Sequence, residues 1–336
     1  MEKRHKLQFM KPTDPRLLDY VATPALLISG GQVRFANAAA RDVLGAHIVG
    51  QDPRIAIRDP KVVALIAQPC GGNVTVDGLS VRGSRWNVAC HVLEDGARLL
   101  VLEDLSVRVS VARAHADFVA NASHELRTPL AAILGYVETL DDPKAGADEA
   151  TRKRFLGIIR HEARRMQALI EDLMSLSRIE AVKHDAPTAP VELVALAREC
   201  AGEVGERAKV SVTANTEAAQ VAGDRGQLAQ VLRNLIDNAI KYGKPEGEMA
   251  VTIEVTPSGR VALSVRDEGE GIAPEHLPRL TERFYRADAS RSRAAGGTGL
   301  GLAIVKHIVE RHRGRFDIAS RPGEGTVASL ILPLMP

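Results

Sequence analysis

Two asparagines and a lysine share one face of a predicted helix in the segment QLAQVLRNLIDNAIKYG. Asn234, Asn238 and Lys241 are spaced by four and three residues, so a helix carries them on the same side. Two carboxamides and an ammonium group aimed together can hold a hydrated metal ion and phosphate oxygens. A solvated polar face is the alternative interpretation of this helix taken alone.

A carboxylate and two glycines follow a predicted strand in the segment VRDEGEGIAP. The strand ends at Asp267, whose carboxylate can accept a hydrogen bond from an exocyclic amine such as adenine N6. Gly269 and Gly271 would let the backbone approach the ring closely. Ordinary turns use the same residue types, so this motif is weak by itself.

Four glycines lead directly into an apolar-periodic helix in the segment GGTGLGLAIVKHIVERHRG. Gly296, Gly297, Gly299 and Gly301 leave free amides at the helix start, where the positive end of the helix dipole suits phosphate. The glycines also permit a mobile lid, and a flexible linker is the alternative. No G-K-[ST] follows and no strand immediately precedes, so the run is neither a Walker loop nor a dinucleotide-binding fingerprint.

A histidine, a glutamate and a proline stand close together in the helical stretch FVANASHELRTPLAAILGYVETL, residues 118–140. A proline inside a helix removes one hydrogen bond and clashes with the carbonyl four residues back, here that of Glu125. Pro129 therefore predicts a bent or loosened backbone beside His124. The apolar residues of the stretch follow helical spacing; they are Phe118, Val119, Ala122, Leu126, Leu130, Ile133, Leu134 and Val137.

A second helix repeats its apolar residues about every 3.5 positions, which is the pattern of a helix-bundle seam. These residues are Leu156, Ile159, Ala163, Met166, Ile170 and Leu173. The segment DDPKAGADEA, residues 141–150, separates the two helices as a loop. Two helices alone cannot enclose a core, so we expect two identical chains to form a dimeric antiparallel four-helix bundle.

The remaining predicted elements give a multidomain α+β fold class. Before residue 105 the chain indicates a small antiparallel sheet with helices. After a proline-bearing linker, helices are predicted at about 192–206, 226–242 and 300–313, and strands near 209–214, 249–256, 260–267, 315–320 and 326–332.

The composition is typical of a soluble globular chain of two or three domains: 336 residues, 45% hydrophobic and 26% charged. A net charge of +2 argues against direct nucleic-acid binding. Cys70, Cys90 and Cys200 favour reduced thiols without a zinc site.

No run approaches the roughly 18–20 apolar residues that cross a bilayer. The basic opening MEKRHKLQFM suits a solvated terminus or the inner flank of a membrane segment missing from this chain. We expect a cytoplasmic chain, or the cytosolic part of an inner-membrane protein.

The order and spacing of these motifs, from residue 106 onward, resemble the sensor histidine kinases of two-component systems. SHELRTPL is similar to their H-box, NLIDNAIKY to the N-box, DEGEGI to the G1 box, RLTERFYRAD to the F-box and GTGLGL to the G2 box. The run ERFYRADASRSRAAGGTGLGLAIVKHIVERHRG further resembles the phosphate-regulon sensor kinases. The region around ANAAARDVLG resembles a PAS domain.

The resemblance implies a domain organisation along the chain. Its parts are a leader at 1–20, a PAS-like α/β sensor domain at 21–105, a dimerisation and histidine-phosphotransfer helical hairpin at 106–183, a linker at 184–190, and at 191–336 an α/β sandwich that binds ATP, of the gyrase, heat-shock and histidine-kinase type.

The same resemblance assigns roles within the hairpin. His124 is the phospho-acceptor, and a neutral imidazole with an unperturbed pKa of about 6.5 is a competent nucleophile near pH 7. Glu125 takes or holds the proton on the other ring nitrogen. Thr128 orients a water that dephosphorylates a response regulator. The helix loosened by Pro129 would present His124 first to ATP and then to the regulator.

For the catalytic domain, the resemblance implies ATP and Mg²⁺. Mg²⁺ would be held by Asn238 with help from Asn234. Phosphate charge would be neutralised by Lys241 and Arg286. The remaining nucleotide-binding residues are Tyr242, Asp267, Gly269 and Gly271, and the lid residues Gly297, Thr298, Gly299, Leu300 and Gly301.

The expected function is a homodimeric kinase that phosphorylates His124, passes the phosphoryl group to an aspartate of a response regulator, and also dephosphorylates that regulator, in phosphate-starvation signalling. An ATP-hydrolysing relative of the gyrase and heat-shock class is one alternative. Asn234 argues against it, because the family pattern of those ATPases has a water-activating glutamate there. A non-catalytic dimeric signalling scaffold is the other alternative, and the intact motifs argue against it.

Overall fold

The computed structural model of the chain describes residues 15–79, 84–141, 148–182, 185–205, 208–244, 247–288 and 297–335. Most of the predicted leader, the middle of the predicted loop at 141–150, and Gly296 lie outside the described residues. The chain divides into two compact units, Met1–Val119 and Ala120–Pro336. Among the described helices, none is long and apolar enough to span a bilayer.

The first unit contains a five-stranded antiparallel sheet in the order β2-β1-β5-β4-β3. Its strands are β1 Ala25–Ser29, β2 Gln32–Ala36, β3 Gly72–Asp77, β4 Arg85–Val92 and β5 Arg98–Asp104. Between β2 and β3 lie the helices α1 Ala38–Leu44, α2 Pro53–Ala56 and α3 Pro60–Ala67. The predicted small antiparallel sheet with helices is confirmed, and the PAS-like assignment stays a prediction.

A buried asparagine forms hydrogen bonds with several backbone groups at the start of the first unit. Asn37 is 0% exposed and caps α1, because its Oδ1 accepts from the Ala40 N–H at 2.9 Å and from the Ala25 N–H at 2.9 Å. Its Nδ2 donates to three carbonyls before β1, those of Leu18, Val21 and Thr23, at 3.1, 2.9 and 2.8 Å. All the hydrogen-bonding capacity of this side chain is therefore used.

The helical hairpin consists of α4 Ser106–Asp141 and α5 Glu149–Ala181. The helix α4 continues through Pro129, which is buried. The bend expected there stays a prediction. Asp148 caps α5, because its carboxylate accepts from the Thr151 N–H at 3.0 Å. A carboxylate at this position also suits the positive end of the helix dipole.

Apolar side chains of the hairpin remain exposed in the single chain. On α4 these are Val119, Leu130, Leu134 and Val137, and on α5 they are Leu156, Ile170 and Met174. Seven exposed large apolar residues on one helix pair mark a surface that another chain covers. The hairpin is thus half of the dimeric four-helix bundle.

The predicted catalytic domain is a two-layer α/β sandwich. Its strands are β6 Pro190–Glu192, β7 Lys209–Ala214, β8 Gln220–Ala222, β9 Glu248–Thr256, β10 Arg260–Asp267, β11 Arg315–Arg321 and β12 Gly325–Pro333. The five-stranded sheet has the order β11-β12-β10-β9-β7, and only its β7–β9 pair is parallel among the described pairs. The helices are α6 Leu193–Gly202, α7 Arg225–Tyr242 and α8 Gly301–Arg311.

The three helices cover one face of this sheet. The residues of β9 and β10 that face the helices are mostly buried, and Val251, Ile253 and Leu263 are at most 1% exposed. The buried faces of α7 and α8 follow helical spacing and include Leu232 and Ile304. One core thus holds both the helix that carries the asparagines and the helix that follows the glycine-rich run.

Several predicted boundaries differ from the structure by one to four residues. The helix expected at 192–206 ends at Gly202, a residue with low helix propensity. The helix expected at 300–313 begins at Gly301 and ends at Arg311. The predicted linker 184–190 contains the first residue of β6, which pairs with β8. Sequence reasoning missed both strands, because three residues are too few to show a strand period.

Candidate functional site

A cavity of about 510 Å³ opens in the catalytic domain. It lies between α7, the end of β10, and the segment that leads into α8. The structure brings most of the predicted nucleotide-binding residues together around it. These are Asn234, Asn238, Lys241, Tyr242, Asp267, Gly271, Arg286, Gly297, Thr298, Gly299 and Gly301.

Two predicted nucleotide-binding residues do not line this cavity. Gly269 is next to the lining residue Asp267 in the fold, because its N–H donates to Asp267 Oδ1 at 2.8 Å. Leu300 is 0% exposed and forms part of the hydrophobic core. These two residues therefore support the cavity wall instead of facing its interior.

The helix α7 presents the two asparagines because its opposite face is apolar. Asp224 begins the helix by accepting from the Gln227 N–H at 3.1 Å. Asn234 Nδ2 donates to the Gly301 carbonyl at 3.2 Å, which joins α7 to the start of α8. This bond fixes the amide and leaves Asn234 Oδ1 as an acceptor. Asn238 lies one turn further along and also lines the cavity.

Asp267 is a buried hydrogen-bond acceptor in the cavity wall. It ends β10 and is 8% exposed. Burial raises the pKa of the Asp267 carboxyl, and hydrogen bonds from the backbone of Gly269 and Thr326 oppose this effect. Those bonds use part of its acceptor capacity, and the rest can serve an amine group in the cavity.

Two glycines of the wall have backbone conformations and contacts that exclude a side chain. Gly271 has φ +71°, and a Cβ there would lie 1.9 Å from the Arg321 carbonyl oxygen. Gly299 has φ +74°, and a Cβ there would lie 2.9 Å from the Cα of Phe284. Phe284 itself has φ +64°, and its N–H donates to the Gly299 carbonyl at 2.8 Å. The backbone at Phe284 therefore packs directly against the backbone at Gly299 in the glycine-rich run.

Sequence reasoning missed an aromatic pair in the same wall. The ring nitrogen Nδ1 of His276 lies 2.7 Å from the hydroxyl oxygen of Tyr285. The guanidinium carbon of Arg279 lies 4.2 Å from the Tyr285 ring centroid, a distance suited to a cation–π contact. The signal that could have found Tyr285 is its position directly before Arg286.

The predicted phospho-acceptor lies on an exposed part of α4, and its neighbour faces the catalytic domain. His124 is exposed and does not line the cavity. Glu125 Oε2 accepts from Arg286 Nη2 at 3.0 Å and from Arg165 Nη2 at 3.0 Å. The Arg286 side chain is only 7% exposed and lines the cavity. One arginine thus contacts the hairpin and the cavity together.

The hydroxyl of the third predicted catalytic residue turns back onto its own helix. Thr128 is exposed, and its Oγ1 donates to the His124 carbonyl at 3.2 Å. This bond is a local one between residues four apart. It keeps the Thr128 side chain within one helical turn of His124.

Further contacts join the catalytic domain to α5. Thr298 Oγ1 donates to Asp172 Oδ2 at 2.6 Å, and Asp172 itself lines the cavity. Ser175 Oγ donates to Gln230 Oε1 at 2.9 Å. Burial raises the pKa of the Asp172 carboxyl, while the Thr298 hydroxyl and the Lys241 charge oppose this effect. Sequence reasoning missed Asp172 as a cavity residue.

Two family models match the chain between residue 114 and its last residue. The model described as "His Kinase A (phospho-acceptor) domain" matches residues 114–182. The model described as "Histidine kinase-, DNA gyrase B-, and HSP90-like ATPase" matches residues 223–336. The first covers His124 and most of the hairpin, and the second covers all the residues that line the cavity except Ala168 and Asp172.

Curated relatives and solved structures give similar results. The phosphate regulon sensor protein PhoR of Pseudomonas aeruginosa is 37% identical over 311 residues, which are 90% of this chain and 69% of PhoR. The sensor protein SrrB of Staphylococcus aureus is 35% identical over 252 residues, which are 72% of this chain and only 42% of SrrB. The solved structure of the Acinetobacter baumannii histidine kinase AdeS is 28% identical, with a TM-score of 0.50, over 63% of this chain and 98% of AdeS.

A likeness of fold extends over nearly the whole chain. The histidine kinase ThkA, solved in complex with the response regulator protein TrrA, covers 95% of this chain with a TM-score of 0.54 at 19% identity. At this identity the likeness concerns the fold alone. The identity to PhoR, which this chain covers over more than two thirds of its length, identifies the family: the chain belongs to the sensor histidine kinases.

Proposed function

We propose that this kinase binds Mg²⁺ and ATP in the 510 Å³ cavity and transfers the γ-phosphoryl group to His124. The observation that carries this proposal is the contact of Arg286 with Glu125. Arg286 lines the cavity, and its guanidinium bonds the carboxylate next to His124 at 3.0 Å. One arginine side chain therefore contacts both the proposed nucleotide site and the carboxylate next to the proposed phospho-acceptor.

The transfer is a substitution at phosphorus. A ring nitrogen of His124 forms the new N–P bond while the bond between the γ-phosphorus and the β–γ bridging oxygen breaks, and ADP leaves. Glu125 takes or holds the proton on the other ring nitrogen as positive charge develops on the imidazole. Arg286 and Lys241 neutralise phosphate charge in a transition state that is stabilised mainly by positioning and electrostatics. The Asp267 carboxylate accepts a hydrogen bond from the exocyclic amine of adenine.

The residues around the cavity suit Mg²⁺. Mg²⁺ takes oxygen ligands, keeps several waters and relies on few protein groups beside the phosphates. Asn234 and Asn238 offer two amide oxygens on one face of α7, and the bond of Asn234 Nδ2 to Gly301 leaves its oxygen available. When bound, the ion neutralises charge that develops on the phosphate oxygens.

The partners that follow from this chemistry are a second copy of the chain and a response regulator. The exposed apolar hairpin face supports the homodimer. The phosphoryl group passes from His124 to an aspartate of the regulator. Thr128 orients the water that later removes phosphate from that aspartate. Because ATP is the donor, the reaction takes place in the cytoplasm. The likeness to PhoR supports a role in phosphate-starvation signalling.

Two other functions are less well supported. Steady ATP hydrolysis needs a base that activates water, and the amide of Asn234 at the cavity cannot act as that base. A non-catalytic scaffold needs no nucleotide cavity, yet polar residues line this one together with the arginine that contacts Glu125. The kinase reaction uses both the nucleotide cavity and the contact between Arg286 and Glu125.

Labelling from γ-labelled ATP tests the proposal. The wild-type chain should become labelled, and His124→Ala should abolish the label. His161→Ala is the matched control, because His161 is an exposed histidine on α5 and should leave labelling unchanged. Label that persists in His124→Ala, or free phosphate released steadily without a regulator, would refute the assignment.

A further inference from the structure

Arg165 of α5 bonds the same carboxylate oxygen as Arg286. Its Nη2 donates to Glu125 Oε2 at 3.0 Å, and its Nη1 lies 3.6 Å from Glu162 Oε2. The Arg165 side chain is 10% exposed. A guanidinium can hold two carboxylates because its N–H groups point in fixed directions. Arg165 therefore anchors Glu125 to the second helix of the hairpin.

The two arginines differ in where they are attached. Arg286 belongs to the catalytic domain and lines the nucleotide cavity, and its buried Nε has no hydrogen-bond partner among the described residues. A guanidinium that binds ATP phosphates uses the same N–H groups that now bond Glu125. Arg165 lies on the same hairpin as Glu125 and outside the cavity lining. It can keep its bond while Arg286 turns to phosphate.

We infer that Arg165 is a positioning residue for phosphoryl transfer. It holds the Glu125 carboxylate beside His124 during the step in which Arg286 binds phosphate. This inference rests on the proposed role of Glu125 as the group that takes the imidazole proton. Without Arg165, a partly exposed glutamate on a helix surface would sample several rotamers, and its proton-accepting position would be occupied less often.

Single-turnover phosphorylation of Arg165→Gln provides the main test. The rate of transfer from saturating ATP should fall between about tenfold and a hundredfold, which is the usual scale for misplacing a group by about an ångström. The KM for ATP should stay within about twofold, because Arg165 does not line the cavity. Arg165→Lys should regain part of the rate, since it restores charge without the two-pronged geometry.

Arg164→Gln is the matched control. Arg164 is the neighbouring arginine on α5, but its side chain is exposed to solvent. The change removes the same charge at almost the same place in the chain, and the transfer rate should not change. A rate loss in Arg164→Gln as large as that in Arg165→Gln would mean that general charge, not positioning, is responsible.

A double-mutant cycle with Glu125→Gln separates positioning from structural damage. If Arg165 acts through Glu125, Arg165→Gln should have no further effect in the Glu125→Gln background. An additional tenfold loss in that background would overturn the inference. If Arg165→Gln lowers the melting temperature of the dimer, Arg165→Gln with Glu162→Gln replaces it, because both opposite charges are then removed together.

The outcomes distinguish this inference from the proposed function. If wild type is labelled and His124→Ala is not, the kinase assignment holds whatever Arg165→Gln does. In that case an unchanged transfer rate in Arg165→Gln, or a rise in KM that accounts for the whole loss, overturns only the positioning role.

Discussion

The hydroxyl of Thr298 donates a 2.6 Å hydrogen bond to the carboxylate of Asp172. This bond joins the glycine-rich run to the second hairpin helix, and it leaves a carboxylate in the wall of the nucleotide cavity. The phosphates of ATP are negatively charged, so Asp172 repels them while the bond is made. Nucleotide binding and this docked arrangement are therefore expected to oppose each other.

Removing the Asp172 charge should tighten nucleotide binding. In Asp172→Asn the amide oxygen can still accept from Thr298, but the negative charge is lost. We expect ATP to bind about fivefold more tightly, equivalent to roughly 1 kcal/mol for a partly screened charge pair. Fluorescent-nucleotide titration gives the affinity. Glu171→Gln is the control, because Glu171 is exposed on the adjacent helix face and should leave affinity unchanged.

The Asp172 effect should also depend on pH. Burial raises the pKa of its carboxyl in the docked arrangement, so this arrangement binds more protons than a separated one. Docking is therefore favoured at acidic pH and weakens as pH rises through that raised pKa. The affinity difference between wild type and Asp172→Asn should shrink as pH falls, because the wild-type carboxyl becomes neutral. A difference that grows on acidification would contradict this explanation.

Replacing Thr128 should separate two activities of the kinase. Thr128 lies one turn after His124, and its hydroxyl now bonds the His124 carbonyl. We expect Thr128→Ala to retain autophosphorylation and to slow dephosphorylation of the regulator by about a hundredfold, the scale for losing a group that positions a reactant. Thr128→Ser keeps the hydroxyl and serves as control. Equal loss of both activities would rule out a separate role.

His312 should make the stability of the catalytic domain depend on pH. It is 4% exposed, its Nε2 accepts from the Asp224 N–H at 3.0 Å, and its Nδ1 lies 2.7 Å from the Ile308 carbonyl. Burial lowers the pKa of its ring. The unfolded chain therefore takes up a proton that the folded domain does not, and stability is lost as pH falls below about 6.5.

Hydrogen exchange of the α7 and α8 amides measures this effect. Protection should decrease between about pH 7.5 and pH 5.5 in wild type. His312→Ala leaves the Asp224 N–H without its partner, while the Ile308 carbonyl still accepts from the backbone N–H of residue 312. The unpaired N–H should cost about 1–3 kcal/mol at neutral pH. Protection in this variant should change less with pH. An identical pH slope in both proteins would show that another group is responsible.

Asn37→Ala should destabilise the first unit. The change removes the cap of α1, the acceptor of the Ala25 N–H and the donor to the Val21 and Thr23 carbonyls, and we expect a loss of about 3 kcal/mol. Trp86 is the only tryptophan in the sequence and lies in the core of this unit at 4% exposure. Its fluorescence in a urea titration therefore reports on this unit alone. Asn73→Ala, at an exposed position of β3, should cause almost no change.

Local signals predicted much of the catalytic domain. The strands expected at 249–256 and 260–267 are observed at Glu248–Thr256 and Arg260–Asp267, because alternation of apolar residues and a Pro-Ser-Gly turn are properties of adjacent residues. Asp267 ends β10 and Gly301 begins α8, so these cavity residues lie at ends of elements that the sequence predicts. The polar face of α7 could be assigned by spacing alone.

Contacts between distant parts of the chain could not be predicted in this way. Asp172 and Thr298 are 126 positions apart, and Glu125 and Arg286 are 161 apart. Nothing in the seam pattern of α5 distinguishes Asp172 or Arg165 from other charged residues on a solvated helix face. Their environment depends on how the hairpin packs against the catalytic domain. This packing does not produce a repeating pattern in the sequence.

The exposed apolar residues of α4 and α5 make the hairpin depend on the amount of protein present. Leu130, Leu134 and Ile170 are exposed in the single chain and would be buried in the bundle formed with a second chain, so folding of the hairpin and association are expected to be linked by mass action. Dilution should lower the melting temperature of the hairpin. When the protein concentration is low, the hairpin should unfold before the other domains. Signalling output would then scale more steeply than linearly with the number of copies in the cell.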